Sequence, residues 1–208
     1  MTDFMDNLAM DAVKTINSGY YQNIHAMEHQ RISLKAAIQN CKTNAVITEI
    51  KPASPSMGTI RNNINPFAIA QAMERGGAVG ISVLTEPTHF NGSLQTLSQA
   101  RRAVKLPLLM KDIVIVLDQI DAASNLGANA VLLIQALFDR RCTEINVDKM
   151  ISHAHNQGLE VLLETHTETE FKAAIETDAD IVGINNRDLA SLKIDLATTC
   201  KILEKHKS

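Results

Sequence analysis

From about residue 44 the chain repeats one pattern: a short apolar run, a few polar residues, then a stretch of helical periodicity. The runs are Ala45-Val46-Ile47, Gly80 to Leu84, Leu106 to Met110, Ala130 to Ile134, Glu160 to Leu163 and Ile181 to Ile184. They are rich in Val, Ile and Leu and continuous rather than alternating, as parallel strands covered on both faces are. Their spacing of about 25–35 residues is that of a strand plus a crossover helix. Six βα units are predicted. Asn65-Pro66 predicts a capped helix start with proline at the first helical position. Thr167 with Glu170 has capping-box spacing, followed by an apolar stripe of Phe171, Ala174 and Ile175. Gly76, Gly127 and Gly158 each fall where a left-handed helix terminus is wanted. Residues 1–43 predict a separate helical lead-in, with Leu34, Ala37 and Ile38 at helical spacing.

Repeated βα units fit an open doubly wound sheet or a (β/α)8 barrel. Six units fall short of eight, yet the placement of polar residues favours the barrel. Ionisable or amide groups follow almost every run: Glu49 and Lys51, Glu86, Lys111 and Asp112, Gln135, Glu164, and Asn185 with Arg187. In a barrel these strand ends converge on one mouth. In an open sheet they would be strung along an edge. Glu49 and Lys51, two apart, point the same way in an extended strand. Lysine and glutamate are seldom buried. On a partly dry rim, clustered ammonium groups should lower a lysine pKa, and burial should raise a glutamate pKa. Both shifts bring acid and base toward the working pH of proton-transfer catalysis.

Composition narrows the classes. The 208 residues are 45% hydrophobic and 21% charged, enough for a sizeable core and unlike a disordered chain. Twenty basic against 23 acidic residues, a net charge of −3, and 3% aromatics give no support to a nucleic-acid partner. No apolar run reaches the ~18 residues of a membrane helix, so no membrane partner is expected. Cys41, Cys142 and Cys200 are odd in number and far apart, which points away from a disulfide framework or a cysteine zinc site and toward a cytoplasmic setting. The acidic N-terminus does not read as a secretory signal.

Several strings together resemble one family. Glu49-Ile50-Lys51 through Ser54-Pro55-Ser56 is similar to the first strand and loop of indole-3-glycerol phosphate synthase. So are Ile81 to Glu86 with Phe90-Asn91-Gly92-Ser93, Leu108 to Asp112, Ala130 to Ile134, and Gly183 to Leu189. The order and spacing hold from about residue 44 to 200. The resemblance implies a (β/α)8 TIM-barrel enzyme with an N-terminal helical extension over 1–43 and the barrel over 44–208. It implies a carbon-carbon lyase of tryptophan biosynthesis, converting the phosphorylated small molecule 1-(2-carboxyphenylamino)-1-deoxyribulose 5-phosphate to indole-3-glycerol phosphate, with no metal and no organic cofactor. Lys111 matches the general acid and Glu164 the general base. Lys51 matches a second lysine that binds substrate, with proton donation open to it. Glu49 and Asn185 match supporting groups, and Arg187 a contact near the anthranilate carboxylate. Ser54 falls in the matching substrate loop, and Pro55, Leu84, Phe90, Leu132 and Leu189 match the lining of the aromatic-ring pocket.

Two departures stand out. Ile113 replaces the aromatic residue usual after Lys-Asp. The sequence ends soon after the sixth helix, whereas the family continues through strands seven and eight, whose loops hold the substrate phosphate. The alternative is therefore an incomplete barrel, weakly active or inactive, serving as an assembly unit. The exposed barrel edges are expected to pair with another copy, to recruit the missing segment or to leave the chain marginally stable. Among weaker motifs, His25-Ala26-Met27-Glu28-His29 fits a zinc-peptidase pattern, against a solvated face of a lead-in helix. Gly76-Gly77-Ala78-Val79-Gly80 precedes a strand, the wrong order for a nucleotide loop. His153 and His155 face different ways, and Lys201, Lys205 and Lys207 read as a solvated final turn.

Overall fold

The computed structural model describes residues 3–188 and 193–206. Six parallel strands form one curled sheet in chain order: β1 (Ile47–Ile50), β2 (Gly80–Leu84), β3 (Leu108–Lys111), β4 (Ala130–Ile134), β5 (Glu160–Thr165) and β6 (Ile181–Ile184). A small antiparallel hairpin, Ala53–Ser54 with Gly58–Thr59, follows β1. The helices are α1 (Phe4–Asn17), α2 (Leu34–Gln39), α3 (Pro66–Arg75), α4 (Leu94–Ala103), α5 (Leu117–Asn125), α6 (Gln135–Asp139), α7 (Val147–Asn156), α8 (Glu168–Ile175) and α9 (Ala197–Lys205). This is a TIM-barrel-like α/β fold.

The continuous apolar runs have the cause expected of them. Alternate residues of each strand enter two different cores. Ile81, Val83, Leu108, Met110, Val131, Leu133, Val161 and Leu163 pack outward beneath the helices. Leu109, Ala130, Leu132 and Ile134 fill the concave side, joined by the partly buried Ile47, Leu162 and Ile181. Register then carries polar residues to the same end of the concave face: Glu49 pairs with Ser82, Leu84 with Lys111, Ile134 with Glu164, and Glu164 with Gly183.

The lead-in differs from a run of helix. Residues 24–33 are irregular, so His25, Glu28 and His29 share no helix face, and His29 Nδ1 instead lies 3.0 Å from the Met27 carbonyl. Both lead-in helices join the concave core. Met5, Leu8, Ala9 and Ala12 of α1 lie over the C-terminal ends of the strands, while Leu34 of α2 closes the opposite end. A Cβ on Gly80 would stand 2.6 Å from Leu34 Cδ1, so the glycine makes room for that plug. The start of α2 is held by Glu160, whose carboxylate accepts from the amides of Leu34 (2.7 Å) and Lys35 (3.0 Å) and from the Ser33 hydroxyl.

The helix starts agree with the sequence, except that the capping box at Thr167 is half made, because the Glu170 carboxylate accepts from the His166 amide rather than from that of Thr167. Asn65 caps α3 through the Ala68 amide, with Pro66 at the first position, and Thr167 caps α8 through the Glu170 amide. One stop signal is displaced. Gly76 is right-handed at φ −74°, and its neighbour Gly77 takes the left-handed turn at φ +87°, whereas Gly127 and Gly158 are left-handed as expected. The first strand begins at Ile47 rather than Ala45, and the third ends on Lys111.

Leu34 is fully buried, so Leu34→Ala is expected to cost about 2–5 kcal/mol of unfolding free energy. Leu203→Ala, at a half-exposed position, should stay within about 0.5 kcal/mol. Urea unfolding of the two variants checks the contrast, and equal losses would remove Leu34 from the core.

Candidate active site

The strand ends meet at a cavity of about 220 Å³ under α1. Its walls include Lys51, Ser54, Pro55, Leu84, Phe90, Lys111, Leu132, Glu164, Asn185 and Arg187. Ten of the twelve residues singled out in the sequence thus face one space. Glu49 lies beside it on an adjoining open cleft of about 550 Å³ that runs along the concave face. Leu189 lies outside the described residues.

The polar groups are paired. Lys111 Nζ donates to Glu164 Oε2 at 3.2 Å, and Asn185 Nδ2 donates to Glu164 Oε1 at 3.1 Å. Lys51 Nζ lies 2.7 Å from Glu49 Oε1, and the Ser82 hydroxyl donates to Glu49 Oε2 at 3.2 Å. The two-residue spacing of Glu49 and Lys51 therefore does put both on the concave side. Asn185 also accepts the Arg187 amide at 3.0 Å, so one amide orients both the carboxylate and the turn carrying the arginine.

The direction of the pKa shifts reverses the expectation from sequence. Burial is the strongest single influence on both Lys111 and Glu164, and it opposes charge on each. It is outweighed. The charges of Glu164 and Glu49 and the hydrogen bond to Glu164 raise Lys111 above its ordinary value. Contacts with His166, Lys111 and Asn185 hold Glu164 down to about 2. The expectation failed because it considered lysines beside lysines and a carboxylate alone, whereas each lysine sits on a carboxylate. The result is an ammonium and a carboxylate side by side, a proton donor and a proton acceptor both in their working forms.

Sequence reasoning missed two contributors, the start of α1 and His166, and placed Glu86 at a strand end without its role. Phe4, Met5 and Leu8 of α1 roof the cavity, and their apolar spacing over the first two turns was a readable signal. Glu86 is buried and caps the Thr88, His89 and Phe90 amides at 2.7–3.0 Å, holding the Phe90 loop. Gly92 closes that loop so tightly that a Cβ would stand 2.5 Å from the Leu84 carbonyl oxygen. His166, two residues beyond Glu164, lies with Nε2 3.3 Å from Glu164 Oε1. Ile113, where an aromatic residue was expected, is buried and lines the cavity. Among the described residues no group of three or more His, Cys, Asp or Glu side chains is placed to hold a metal ion, and no helix is long and apolar enough to cross a membrane. His153 and His155 face separate aspartates, Asp121 and Asp180. Lys201 and Lys205 pair with Asp195 and Glu168, and Lys207 lies outside the described residues.

A curled parallel sheet with acid and base converging over its C-terminal ends defines a barrel-type α/β enzyme scaffold. The chain belongs to the indole-3-glycerol phosphate synthase family, whose model matches residues 7–208. It is 43% identical over 197 residues to the indole-3-glycerol phosphate synthase of Methanocaldococcus jannaschii, covering 92% of this chain and 72% of that one. It is 40% identical to the Thermococcus kodakarensis enzyme of the same name, covering 78% and 69%. For the Koribacter versatilis relative the values are 39% identity, 77% and 60%. In fold alone it is similar to the N-acetylmannosamine-6-phosphate 2-epimerase from Clostridium perfringens, with TM-score 0.51 at 15% identity over 76% of this chain and 66% of that one.

The charges carry a pH signature. His166 is raised from 6.5 to about 9, so it stabilises the fold below about pH 6.5 and loses that contribution as pH rises through 9. Glu164 is lowered from 4.5 to about 2, so its contribution is complete above about 4.5 and is lost as pH falls toward 2. Urea midpoints should therefore decline from pH 6.5 to 9, and His166→Gln should flatten that decline. An unchanged slope in the variant would assign the decline elsewhere.

Proposed function

We propose that the chain catalyses the family's ring closure, turning 1-(2-carboxyphenylamino)-1-deoxyribulose 5-phosphate into indole-3-glycerol phosphate, carbon dioxide and water. The observation that carries this reading is the Lys111–Glu164 pair, one ammonium and one carboxylate at 3.2 Å, facing an apolar cavity in a chain of this family. The aryl ring packs among Pro55, Leu84, Phe90 and Leu132, with Ser54 in the bordering loop, and Arg187 takes the anthranilate carboxylate. Attack of the carboxyl-bearing ring carbon on the ketone carbon puts charge on the ketone oxygen, and Lys111 delivers the proton there. Carbon dioxide leaves with its bonding pair returning to the ring system. The hydroxyl then departs as water on a proton from a lysine, Lys111 or Lys51. Glu164 removes the remaining ring proton, and Glu49 and Asn185 hold Lys51 and Glu164 in place. The reaction is that of a carboxy-lyase, and these protein groups supply each proton transfer without a metal or organic cofactor.

The same reading assigns residues 1–43 to an N-terminal helical extension and 44–208 to the barrel, of (β/α)8 type with six units in this chain, in a cytoplasmic protein. The outer edges of β1 and β6 have no strand neighbour among the described residues, and an unpaired apolar edge favours pairing with another chain. Self-association is part of the proposal, and light scattering tests it: a monodisperse monomer at high concentration would remove it.

Indole formation is followed by fluorescence with the synthetic substrate. Lys111→Ala is expected to lower turnover by at least ~10²-fold, the lower end for general acid–base catalysis, with substrate binding less affected. Glu164→Gln keeps the shape, cannot accept a proton, and should fall as far. Near-normal turnover in either variant removes that residue from the mechanism. A wild-type chain that forms no indole-3-glycerol phosphate overturns the reading in favour of an inactive assembly unit.

A further inference from the structure

We propose that His166 is a positioning residue for Glu164: clamped from behind by Glu170, its ring fixes which carboxylate oxygen is left to face the reacting substrate. The inference rests on the ring-closure reading above. It begins in the helix cap. Thr167 accepts the Glu170 amide at 3.1 Å, and the Glu170 carboxylate reaches back to the His166 amide at 2.8 Å. The same Glu170 oxygen lies 3.3 Å from His166 Nδ1. A capping arrangement readable in the sequence therefore locks the imidazole as well as the helix.

The other ring nitrogen points at the site. The His166 side chain is only 4% exposed, and Nε2 is buried with no aligned hydrogen-bond partner, yet it stands 3.3 Å from Glu164 Oε1. The contact is ionic rather than a directed hydrogen bond. Oε1 is thus occupied from two sides, by His166 and by the Asn185 amide, while Oε2 is turned to Lys111. An imidazole between two carboxylates in a dry setting favours its charged form. The groups facing it are Glu164 on β5, just before it, and Glu170 on α8. Lys111 on β3 and the neutral Asn185 on β6 stand beyond Glu164. Before proton transfer the row Lys111, Glu164, His166, Glu170 alternates in sign and sums to zero. Lys111 has by then given up its proton, so the row again sums to zero when Glu164 takes the ring proton. Once Lys111 is reprotonated from solvent, the row carries a surplus positive charge, which disfavours the protonated base and restores the carboxylate. No catalytic contact of His166 with substrate is required.

The test combines NMR with kinetics. In the wild-type chain labelled with ¹⁵N-histidine, His166 should remain doubly protonated at about pH 8. In His166→Gln the Glu164 carboxyl, followed by ¹³C, should titrate at least one pH unit higher than in the wild type. The acidic limb of kcat should move up with it while KM stays within about twofold. Glu170→Gln should lower the His166 titration without touching Glu164 directly. A wild-type His166 that titrates near its ordinary 6.5 overturns the proposal, and this measurement needs no variant to fold. An unmoved Glu164 titration in a folded His166→Gln also overturns it. If the wild-type chain makes no indole-3-glycerol phosphate, the ring-closure reading fails, and the two titrations still decide whether His166 governs Glu164.

Discussion

One buried carboxylate organises the mouth of this sheet. Glu164 is 12% exposed in its side chain and is surrounded by Lys111, Asn185 and His166. Taking a charge out of water costs several kcal/mol unless partners replace the lost hydration. Here the partners come from β3, β6 and the turn after β5, so they exist only when the sheet has curled enough to bring those elements together. The carboxylate is thus a product of the tertiary fold. The fold in turn accepts a polar rim only because the rim is internally satisfied. That preorganisation is what proton-transfer chemistry uses, since charged groups already in place need little rearrangement as the reaction proceeds.

The second constraint is dryness, and α1 supplies it. Its apolar face of Met5, Leu8, Ala9 and Ala12 continues the concave core upward past Leu132, Ile134 and Ile113. Three contacts fasten the helix across the opening. Arg140 bridges Asp3 and Asp6 at its start, in distances of 2.5 and 3.2 Å. His89, on the loop that Glu86 holds, meets Asp11 at 2.9 Å. These pairs are partly exposed and individually weak, so the apolar stripe does most of the holding and the ion pairs set its register. Hydrophobic closure above the site raises the strength of every electrostatic contact below it.

Much of this was legible in the chain. Continuous Val, Ile and Leu runs at regular intervals gave the parallel strands, because a residue buried on either face must be apolar. Polar residues terminating those runs gave the site, because strand ends of a curled sheet converge. What was not legible depends on pairing across elements. No local pattern tells that Lys111 meets Glu164 rather than Lys51, so the sense of their pKa shifts came out reversed. The irregular path of residues 24–33 was hidden by helix-compatible composition. That path is fixed by distant partners: Asn129 Nδ2 donates to the Gln30 carbonyl at 3.1 Å, and Arg31 to the Gln157 carbonyl at 2.8 Å. His166 was overlooked because its role is set by Glu170, whose evident duty is to cap a helix.

Two buried carboxylates show how closely function follows from partners rather than burial. Asp112 follows Lys111 directly and is 2% exposed. Burial is again the strongest influence on it, but its partners are neutral donors: the Thr85 hydroxyl, the Ile113 amide and the Tyr21 hydroxyl, with the Glu86 charge nearby. Its pKa is pushed up to about 6, whereas Glu164 is held near 2. Neutral donors stabilise a carboxylate only in part, and cations on two sides do so fully. The chemistry assigned to each follows. Asp112 ties the Tyr20–Tyr21 segment to the sheet through the Tyr21 hydroxyl, and Tyr20 adds its own ties, donating to the Thr85 carbonyl and accepting the Leu94 amide, both at 3.1 Å. Glu164, with an ammonium on one oxygen and an imidazole beside the other, is the carboxylate kept ionised at the mouth of the cavity, as the proton acceptor of the proposed reaction has to be.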